Sequence, residues 1–410
     1  MKKITALLCL CLSLVFMSGC FDRVDIEARG YVLAIAIDEY PPIPQGQQQS
    51  DKETPPDEES HFIETQIRTG EPLYAMTVQF PIIKKGSAIS KGESSGADGE
   101  GSRSWEITQV GNSFMEMNRE ISSRTNLIPY YGQLQAIVIS RAVAEKGLED
   151  ILDFFIRDPE MRLRTKLFIT NEEAKKVLDV IPRIDDYSSL YIAKIPTNAS
   201  INAKIIHKTD LGEAWSSLIT GDDFILPRIE ATKDEVRVSG AAIFKEGKMV
   251  GWLNGIEMES AKFILNLYLG GIMTANDPEH ENGIVTLEII KAKSKIIPEI
   301  KNGTLSFKIK IDVIGTYAEN LISGTFIKTS DEYMQKLEKA FAENIEKICT
   351  NTIKKVQEDF GADVFFLGKA LKTKKPEYWE KVKDNWHEIF RNVDVEVKAK
   401  VSIRHTGNII

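Results

Sequence analysis

The chain has 410 residues, of which 42% are hydrophobic and 27% charged, and its formal net charge is -8. This composition is typical of soluble globular proteins and predicts two or three domains. An acidic chain is a poor candidate for nucleic-acid binding, which requires basic side chains against the phosphate backbone.

The amino terminus has the pattern of a secretion signal. Lys2 and Lys3 precede the apolar stretch from Ile4 to Phe16, which is shorter than the roughly 20 residues that cross a bilayer. The letters MSGC follow, with two small residues directly before Cys20. This order resembles the lipobox of bacterial lipoproteins, with Met17 where leucine is usual.

The lipobox resemblance implies that residues 1–19 are a signal peptide. It also implies that Cys20 becomes the first mature residue, carrying a diacylglycerol thioether and an N-terminal acyl chain. Such an anchor would hold the protein on a membrane, since each buried methylene contributes about 0.8 kcal/mol. An ordinary secretion signal that happens to contain a cysteine is the alternative.

Cysteine usage follows from that assignment. Cys9 and Cys11 lie in the predicted signal and Cys20 would be acylated, so Cys349 alone remains in the folded body. The sequence therefore excludes an intramolecular disulfide. Cys349 lies on the apolar stripe of a predicted helix, which favours inert packing over a nucleophile.

The first part of the mature chain alternates between predicted strands and polar insertions. Apolar runs predict strands at 31–37 and 73–83. Between them, residues 41–61 are rich in Pro, Gln and acidic residues, and the Gly/Ser-rich residues 84–104 follow. From Trp105 the pattern predicts a helix.

Strands and helices continue to alternate up to about residue 200. Strands are predicted at 134–140 and 165–170, and a helix at 172–180. One further helix between these strands ends before Pro159. Its apolar face comprises Val143, Leu148, Ile151, Leu152 and Phe155. The alternation predicts an N-terminal α/β domain over residues 20–200.

A middle domain is predicted over residues 201–280. It would begin with a helix from Ile201 to Trp215. Residues 236–253 then predict a hairpin that turns at Glu246-Gly247, followed by a helix at 256–269.

Residues 281–410 predict a C-terminal α+β domain. Asn302-Gly303 joins two alternating strands in a hairpin, at 287–297 and 305–315. A capping box at Thr329 and Glu332 opens a helix of about 30 residues that Gly361 closes.

The end of the chain predicts another helix and a strand. The helix begins near Pro376 and turns Trp379 and Trp386 to one side, where core packing is favoured over a stacking platform for a ligand. The alternating VDVEVKAKVSIRHTG ends the chain as a strand. These segments predict an α+β fold with C-terminal antiparallel strands packed on a long helix.

No pattern of catalytic or metal-binding residues is visible. The five histidines are scattered and lack metal-ligand spacing, so neither a metal nor another cofactor is predicted. The acidic pairs Asp185-Asp186 and Asp222-Asp223 are interpreted as solvated faces or turns. The residues thus predict a lipid-anchored multidomain protein that is not an enzyme.

Four separated segments resemble the Ger(x)C family, the C-subunit lipoproteins of bacterial spore germinant receptors. The first is GCFDRVDIEARGYVLAIAIDEY, directly at Cys20, with Phe21 where tryptophan is commoner. The second, 134–170, contains RDPEMRLRT, and the others lie at 240–254 and 363–407. These segments occur in the family's order and span nearly the whole mature chain.

The resemblance implies an elongated multidomain lipoprotein of about three mixed α/β domains. It also implies a subunit of a nutrient receptor that triggers germination of endospores. It implies A and B subunits as partners, and a position on the outer face of the inner spore membrane. It brings no catalytic residue and no cofactor, and any contact with a small-molecule germinant could be indirect.

Three arginines of RDPEMRLRT, namely Arg157, Arg162 and Arg164, are the candidate partner contacts. The alternative is a solvated helix end with weak local ion pairs. For the whole protein, the alternative function is a solute-binding lipoprotein of a transporter, and a cell-wall hydrolase is a weaker third.

Overall fold

A computed structural model of the protein describes residues 26–40, 72–82, 103–208, 210–321 and 330–405. Cys20, the insertion at 41–61 and nearly all of the insertion at 84–104 lie outside these ranges. The predictions for them are therefore untested by the structure.

The described chain contains fourteen strands in three sheets. The strands are β1 (Arg29–Tyr31), β2 (Ala34–Glu39), β3 (Tyr74–Pro81), β4 (Ser104–Gly111), β5 (Ile128–Tyr130), β6 (Ala136–Ser140), β7 (Lys166–Thr170), β8 (Phe224–Ala231), β9 (Val236–Lys245), β10 (Lys248–Leu253), β11 (Gly271–Asn276), β12 (Ile284–Lys301), β13 (Thr304–Leu321) and β14 (Asp394–His405). The α-helices are α1 (Phe114–Ile121), α2 (Arg141–Lys146), α3 (Glu149–Arg157), α4 (Ala174–Leu178), α5 (Ser188–Lys194), α6 (Leu211–Thr220), α7 (Gly255–Ile264), α8 (Asp331–Lys355), α9 (Leu367–Lys374), α10 (Pro376–Val382) and α11 (Trp386–Asn392).

The largest sheet has eight strands in the order β10-β9-β8-β7-β6-β2-β3-β4. Its centre is parallel, from β2 through β6 and β7 to β8, and both sides are completed by antiparallel strands. Every residue of β6 is buried, as expected for a strand that is covered on both faces. A separate parallel pair, β1 with β5, lies at the start of the described chain.

The prediction of a helix from Trp105 is wrong, because residues 104–111 form β4. This strand pairs with β3 along its whole length, from Ser104 to Gly111. The hydroxyls of Thr77 and Thr108 form a buried hydrogen bond of 2.8 Å across the two strands. Helix α1 begins only at Phe114, after Ser113 caps it by accepting from the Glu116 amide.

Two predicted helices are shorter than expected. The helix predicted through Leu148 is divided into α2 and α3, because Gly147 adopts a φ of +128° and the Leu148 amide donates to Gly247 O at 3.0 Å. The helix predicted from Ile201 begins only at Leu211, and residues 201–208 are turns and bends.

The C-terminal sheet has four strands in the order β11-β12-β13-β14. The hairpin turn at Asn302-Gly303 is confirmed, with positive φ at both residues. The final strand β14 is also confirmed, and it pairs parallel with β13.

Helix α8 packs along one face of this sheet. A π-helical turn at Val356–Phe360 extends it to about 30 residues, and Gly361 follows in the left-handed conformation, as predicted. The cap is Ser330, whose hydroxyl accepts from the Tyr333 amide at 3.1 Å. Thr329, the predicted cap, lies outside the described residues. Beyond it, the helix predicted from Pro376 is divided into α10 and α11, and α9 was not predicted.

The α+β class is confirmed, with C-terminal strands packed on a long helix. Sheet membership crosses the predicted domain boundaries: β8, β9 and β10 extend the first sheet, whereas β11 belongs to the C-terminal sheet. The boundaries at residues 200 and 280 remain a prediction.

Candidate functional site

The chain enters the described fold at Ile26, in a 3₁₀ helix that leads into β1. This entry point is six residues after Cys20. Three residues further on, Arg29 lies 3.9 Å from Glu160 of the RDPEMRLRT segment, which connects α3 to β7.

The three arginines differ in their surroundings. Arg157 ends α3, and its Nε donates to the Asp153 carboxylate at 2.6 Å on the same helix. Arg162 is half-buried and Arg164 exposed, and neither side chain forms an ion pair or hydrogen bond within the described ranges. Arg157 is therefore engaged locally, and it differs in this respect from the other two arginines.

The backbone of this segment is held on both sides. Leu163 O accepts from the Gly212 amide at 2.8 Å, and Thr165 O accepts from the Leu211 amide at 2.9 Å. The Thr165 hydroxyl donates to Leu134 O at 3.2 Å. The segment is thus anchored both to α6 and to the residues before β6, so its arginines project from a fixed support.

The same segment contacts the entering chain. The Arg29 guanidinium lies over the Tyr130 ring, with Cζ 4.2 Å from the centroid, and its Nη1 is 3.9 Å from Glu160 Oε1. Burial raises the pKa of the Glu160 carboxyl. The entry strand, β5 and the arginine segment therefore form one continuous surface.

A second candidate site joins the two large sheets, and the sequence analysis missed it. Asp223, interpreted there as part of a solvated pair, is buried. Its Oδ2 accepts from the Asp363 amide at 2.7 Å and lies 3.1 Å from His387 Nε2. Its Oδ1 accepts from the Glu246 amide at 3.4 Å. Asp223 thus connects the β9-β10 turn to the C-terminal region.

Asp363 lies at the centre of this junction. Its carboxylate accepts from the amides of Leu367 and Gly368, at 2.9 and 2.7 Å, and from the Trp386 indole at 2.9 Å. Burial raises its pKa to about 7. These bonds hold the start of α9 against α11. Asp363 and Trp386, which are 23 residues apart in the segment 363–407, are therefore in direct contact.

A buried lysine makes a second link between the regions. Lys262 on α7 is fully buried, and its ammonium donates to Ala199 O and Ile205 O, at 3.1 and 3.0 Å. Burial lowers the pKa of Lys262 to about 8. The ammonium satisfies carbonyl groups in an irregular segment that would otherwise lack partners.

The predictions for Cys349 and the tryptophans are confirmed. Cys349 is fully buried, and burial raises the pKa of its thiol. Trp386 is buried against Phe307, and its ring centroid is 5.4 Å from that of Trp379. Within the ranges that the structure covers, no group of three or more His, Cys, Asp or Glu residues is arranged to hold a metal ion.

A cavity beside the first sheet is lined by both polar and apolar side chains. It measures about 960 Å³ and lies between β4 and residues 178–188. Glu106 lines it, and burial together with a hydrogen bond to Asp179 raises the pKa of Glu106 to about 7. Gln79 Nε2 donates to Glu106 at 2.9 Å.

These features define a class of protein: a mixed α/β molecule in which a buried junction joins two sheet regions and a fixed arginine segment adjoins the entering chain. Among the helices that the structure describes, none combines the length and apolarity of a bilayer span.

Family comparisons identify the particular group. Residues 22–231 match the spore germination protein N-terminal domain, and residues 239–407 match the C-terminal domain described as spore germination B3/GerAC like. The chain therefore belongs to the Ger(x)C family of spore germination proteins, which confirms the resemblance read from the sequence.

Full-length relatives agree with this assignment. The chain is 26% identical over 411 residues to spore germination protein YndF of Bacillus subtilis (strain 168), covering 100% of this chain and 98% of the relative. It is 25% identical over 403 residues to spore germination protein B3 of the same organism, covering 97% and 96%. The crystal structure of the GerBC protein matches with a TM-score of 0.56 at 23% identity, over 82% of this chain and 94% of that one. This last likeness bears on the fold alone.

Proposed function

We propose that the protein is the lipid-anchored C subunit of a nutrient germinant receptor and acts in the triggering of endospore germination. The single observation that carries this proposal is the match of both family domains in succession, from residue 22 to residue 407. Relatives named as spore germination proteins align along the entire chain, which supports a role of the whole protein in germination.

The proposed anchor is diacylated and N-acylated Cys20, on the outer face of the inner spore membrane. The MSGC letters support it, because small residues lead directly into the cysteine after a basic and apolar start. The family match begins at Asp22, two residues after the proposed anchor.

Binding and assembly, rather than catalysis, constitute the proposed mode of action. The two sites with distinctive geometry are suited to it: the arginine segment presents donors on a fixed backbone, and the Asp223-Asp363 junction sets the relation of the two regions. The proposed partners are the A and B subunits of the same receptor.

The arginine segment provides a direct test of partner contact. Arg162→Glu combined with Arg164→Glu reverses two charges on exposed or half-exposed side chains. We expect the A and B subunits to be depleted from the spore membrane, measured by immunoblot of membrane fractions. Arg237→Glu combined with Lys233→Glu, on exposed residues near the start of β9, is the matched control. Unchanged A and B levels in the first variant would reject this contact.

Solute capture is the second candidate function, and the cavity of about 960 Å³ that Glu106 lines favours it. Calorimetric titration of the purified chain with amino acids and sugars tests it. Tight binding that Glu106→Gln abolishes would support direct germinant capture by this subunit. An absence of heat with every nutrient that germinates the spores would reject it.

A further inference from the structure

One end of the eight-stranded sheet faces the entering chain. The parallel strands β2, β6 and β7 begin there, since Ala34 pairs with Ala136 and Ala136 with Lys166. The antiparallel strand β3 ends at the same edge, because Ala34 pairs with Gln79. The start of β4, the arginine segment and the entry strand β1 therefore lie at this edge.

Large apolar side chains are exposed at this end of the sheet. Five of them define what we call the entry face, with these exposed fractions: Ile26 68%, Ile82 42%, Trp105 48%, Ile128 52% and Leu163 58%. They come from five separate segments of the chain. An exposed apolar patch built in this way marks an interaction surface rather than a local accident of sequence.

Contacts between neighbouring residues connect the segments that carry the entry face. Gly30 packs so closely on the Phe80 ring that an added Cβ would lie 3.0 Å from it, and the ring centroids of Phe80 and Trp105 are 6.2 Å apart. Ile128 pairs with Arg29 in the β1-β5 ladder. Arg29 in turn reaches Glu160 in the segment that bears Leu163.

The distance to the proposed lipid limits where this face can lie. Ile26 follows Cys20 by six positions, a distance of at most about 22 Å when the chain is fully extended. An acyl group on Cys20 is buried in the bilayer. The Ile26 end of the entry face must consequently stay within that distance of the membrane surface, whichever conformation the linking residues adopt.

We propose that the entry face rests on the bilayer, with Trp105 and Leu163 at the level of the lipid headgroups. The inference depends on the lipid anchorage proposed above. Tryptophan favours this depth, since its ring is apolar and its N–H is polar. Burial of these apolar side chains would add to the membrane-binding free energy of the acyl chains. It would also fix the orientation of the domain on the membrane.

Site-specific fluorescence tests the proposal on the full-length acylated protein. Leu163→Cys is labelled with an environment-sensitive fluorophore, which is selective because the thiol of Cys20 is blocked by its lipid and Cys349 is fully buried. Ile272→Cys, on an exposed position of β11, is the matched control. Both proteins are placed on phosphatidylglycerol-phosphatidylcholine vesicles that contain brominated lipid, and quenching is recorded.

We expect the label at position 163 to be quenched several-fold more strongly than the label at position 272. Equal quenching at the two positions, in protein that sediments with the vesicles, would overturn the entry-face proposal and leave the lipid anchor standing. A chain that fails to sediment would refute the anchor and the proposal together.

A second labelled variant, Ile128→Cys, shows whether the result at position 163 comes from a local structural change caused by the Leu163→Cys substitution. Strong quenching at Ile128 supports the proposal by itself, and weak quenching at both positions rejects it. If labels at positions 128 and 163 are both weakly quenched and Leu163→Glu spores also lose the A and B subunits, the entry face binds a protein partner. That result would equally overturn the proposal.

Discussion

The eight-stranded and the four-stranded sheets bury their residues in different ways. In the former, β2 and β6 are buried on both faces. In the latter, one face packs on α8 while the other is open to solvent and carries a row of lysines. This row is Lys295, Lys310 and Lys398, which are direct cross-strand neighbours. Like charges in that position are unfavourable, although Lys308 and Glu396 form an ion pair of 2.9 Å between β13 and β14. The large apolar side chains of this sheet are buried on the α8 side.

The two regions therefore depend on different contacts. The N-terminal sheet is supported from both sides, whereas the C-terminal sheet packs one face on α8, on Trp386 of α11 and on the links that join it to its neighbour. Those links are the Asp223-Asp363-His387 junction and the buried Lys262.

Truncation on the buried side of α8 should have the largest effect. Phe341→Ala removes a fully buried ring from the C-terminal core, and we expect a loss of about 3–5 kcal/mol in the free energy of unfolding. Denaturant unfolding with hydrogen exchange should show β12 and β13 losing more protection than β6. Lys339→Ala, exposed on the same helix, should change stability by less than about 0.5 kcal/mol. Equal loss of protection in both sheets would contradict the proposed difference.

Removal of the junction carboxylate should have the next largest effect. Asp363→Ala leaves the buried amides of Leu367 and Gly368 and the Trp386 indole without their acceptor. We expect a loss of about 2–4 kcal/mol, and a smaller loss for Asp363→Asn, which retains one acceptor oxygen. Asp384→Ala, on a nearby exposed residue, is the control. Similar stability of the Asp363 and Asp384 variants in urea unfolding would show that the junction is not a structural link.

The contribution of the buried Lys262 to the free energy of unfolding should depend on pH. Burial lowers the pKa of Lys262 to about 8 in the folded protein, against an ordinary value of 10.5. Between these values the unfolded chain binds more protons, so the contribution of Lys262 to the free energy of unfolding increases as the pH rises through this window. Wild type should therefore gain stability relative to Lys262→Met from pH 7 to pH 10, measured by denaturant unfolding. A difference that is independent of pH would contradict this assignment.

The smallest effect is expected at His387. Its hydrogen bond to Asp223 raises the pKa of the imidazole, and the stabilisation is complete below the unfolded value near 6.5. This stabilisation is lost as the pH rises through the folded value. The side chain is partly exposed, so we expect only a few tenths of a kcal/mol between wild type and His387→Gln at pH 5.5, and less at pH 8. A difference that increases toward pH 8 would reverse the sign and reject the ion pair.

The strands of the four-stranded sheet were easier to predict from the sequence than those of the eight-stranded sheet. One solvated face gives an alternating pattern, so the Asn302-Gly303 hairpin and β14 could be predicted from local residues. By contrast, β4 was mistaken for a helix because its assignment depends on pairing with β3, about 30 residues away. The break at Gly147 depends similarly on a bond to Gly247.

In the candidate sites too, local features could be predicted from the sequence and features that depend on distant contacts could not. RDPEMRLRT could be recognised as a charged connection, but the local pairing of Arg157 and the fixed backbone below Leu163 come from tertiary contacts. Asp223 shows the limit most clearly. Its acidic neighbour suggested a solvated turn, whereas two of its partners lie 140 and 164 residues further along the chain.

Fractionation of the inner spore membrane, with wild type compared against Cys20→Ala, tests the central claim most directly. The account predicts that wild type fractionates with the A and B subunits, and that Cys20→Ala is absent from the membrane and abolishes the nutrient response. Retention of Cys20→Ala in the membrane complex, with normal germination, would contradict it.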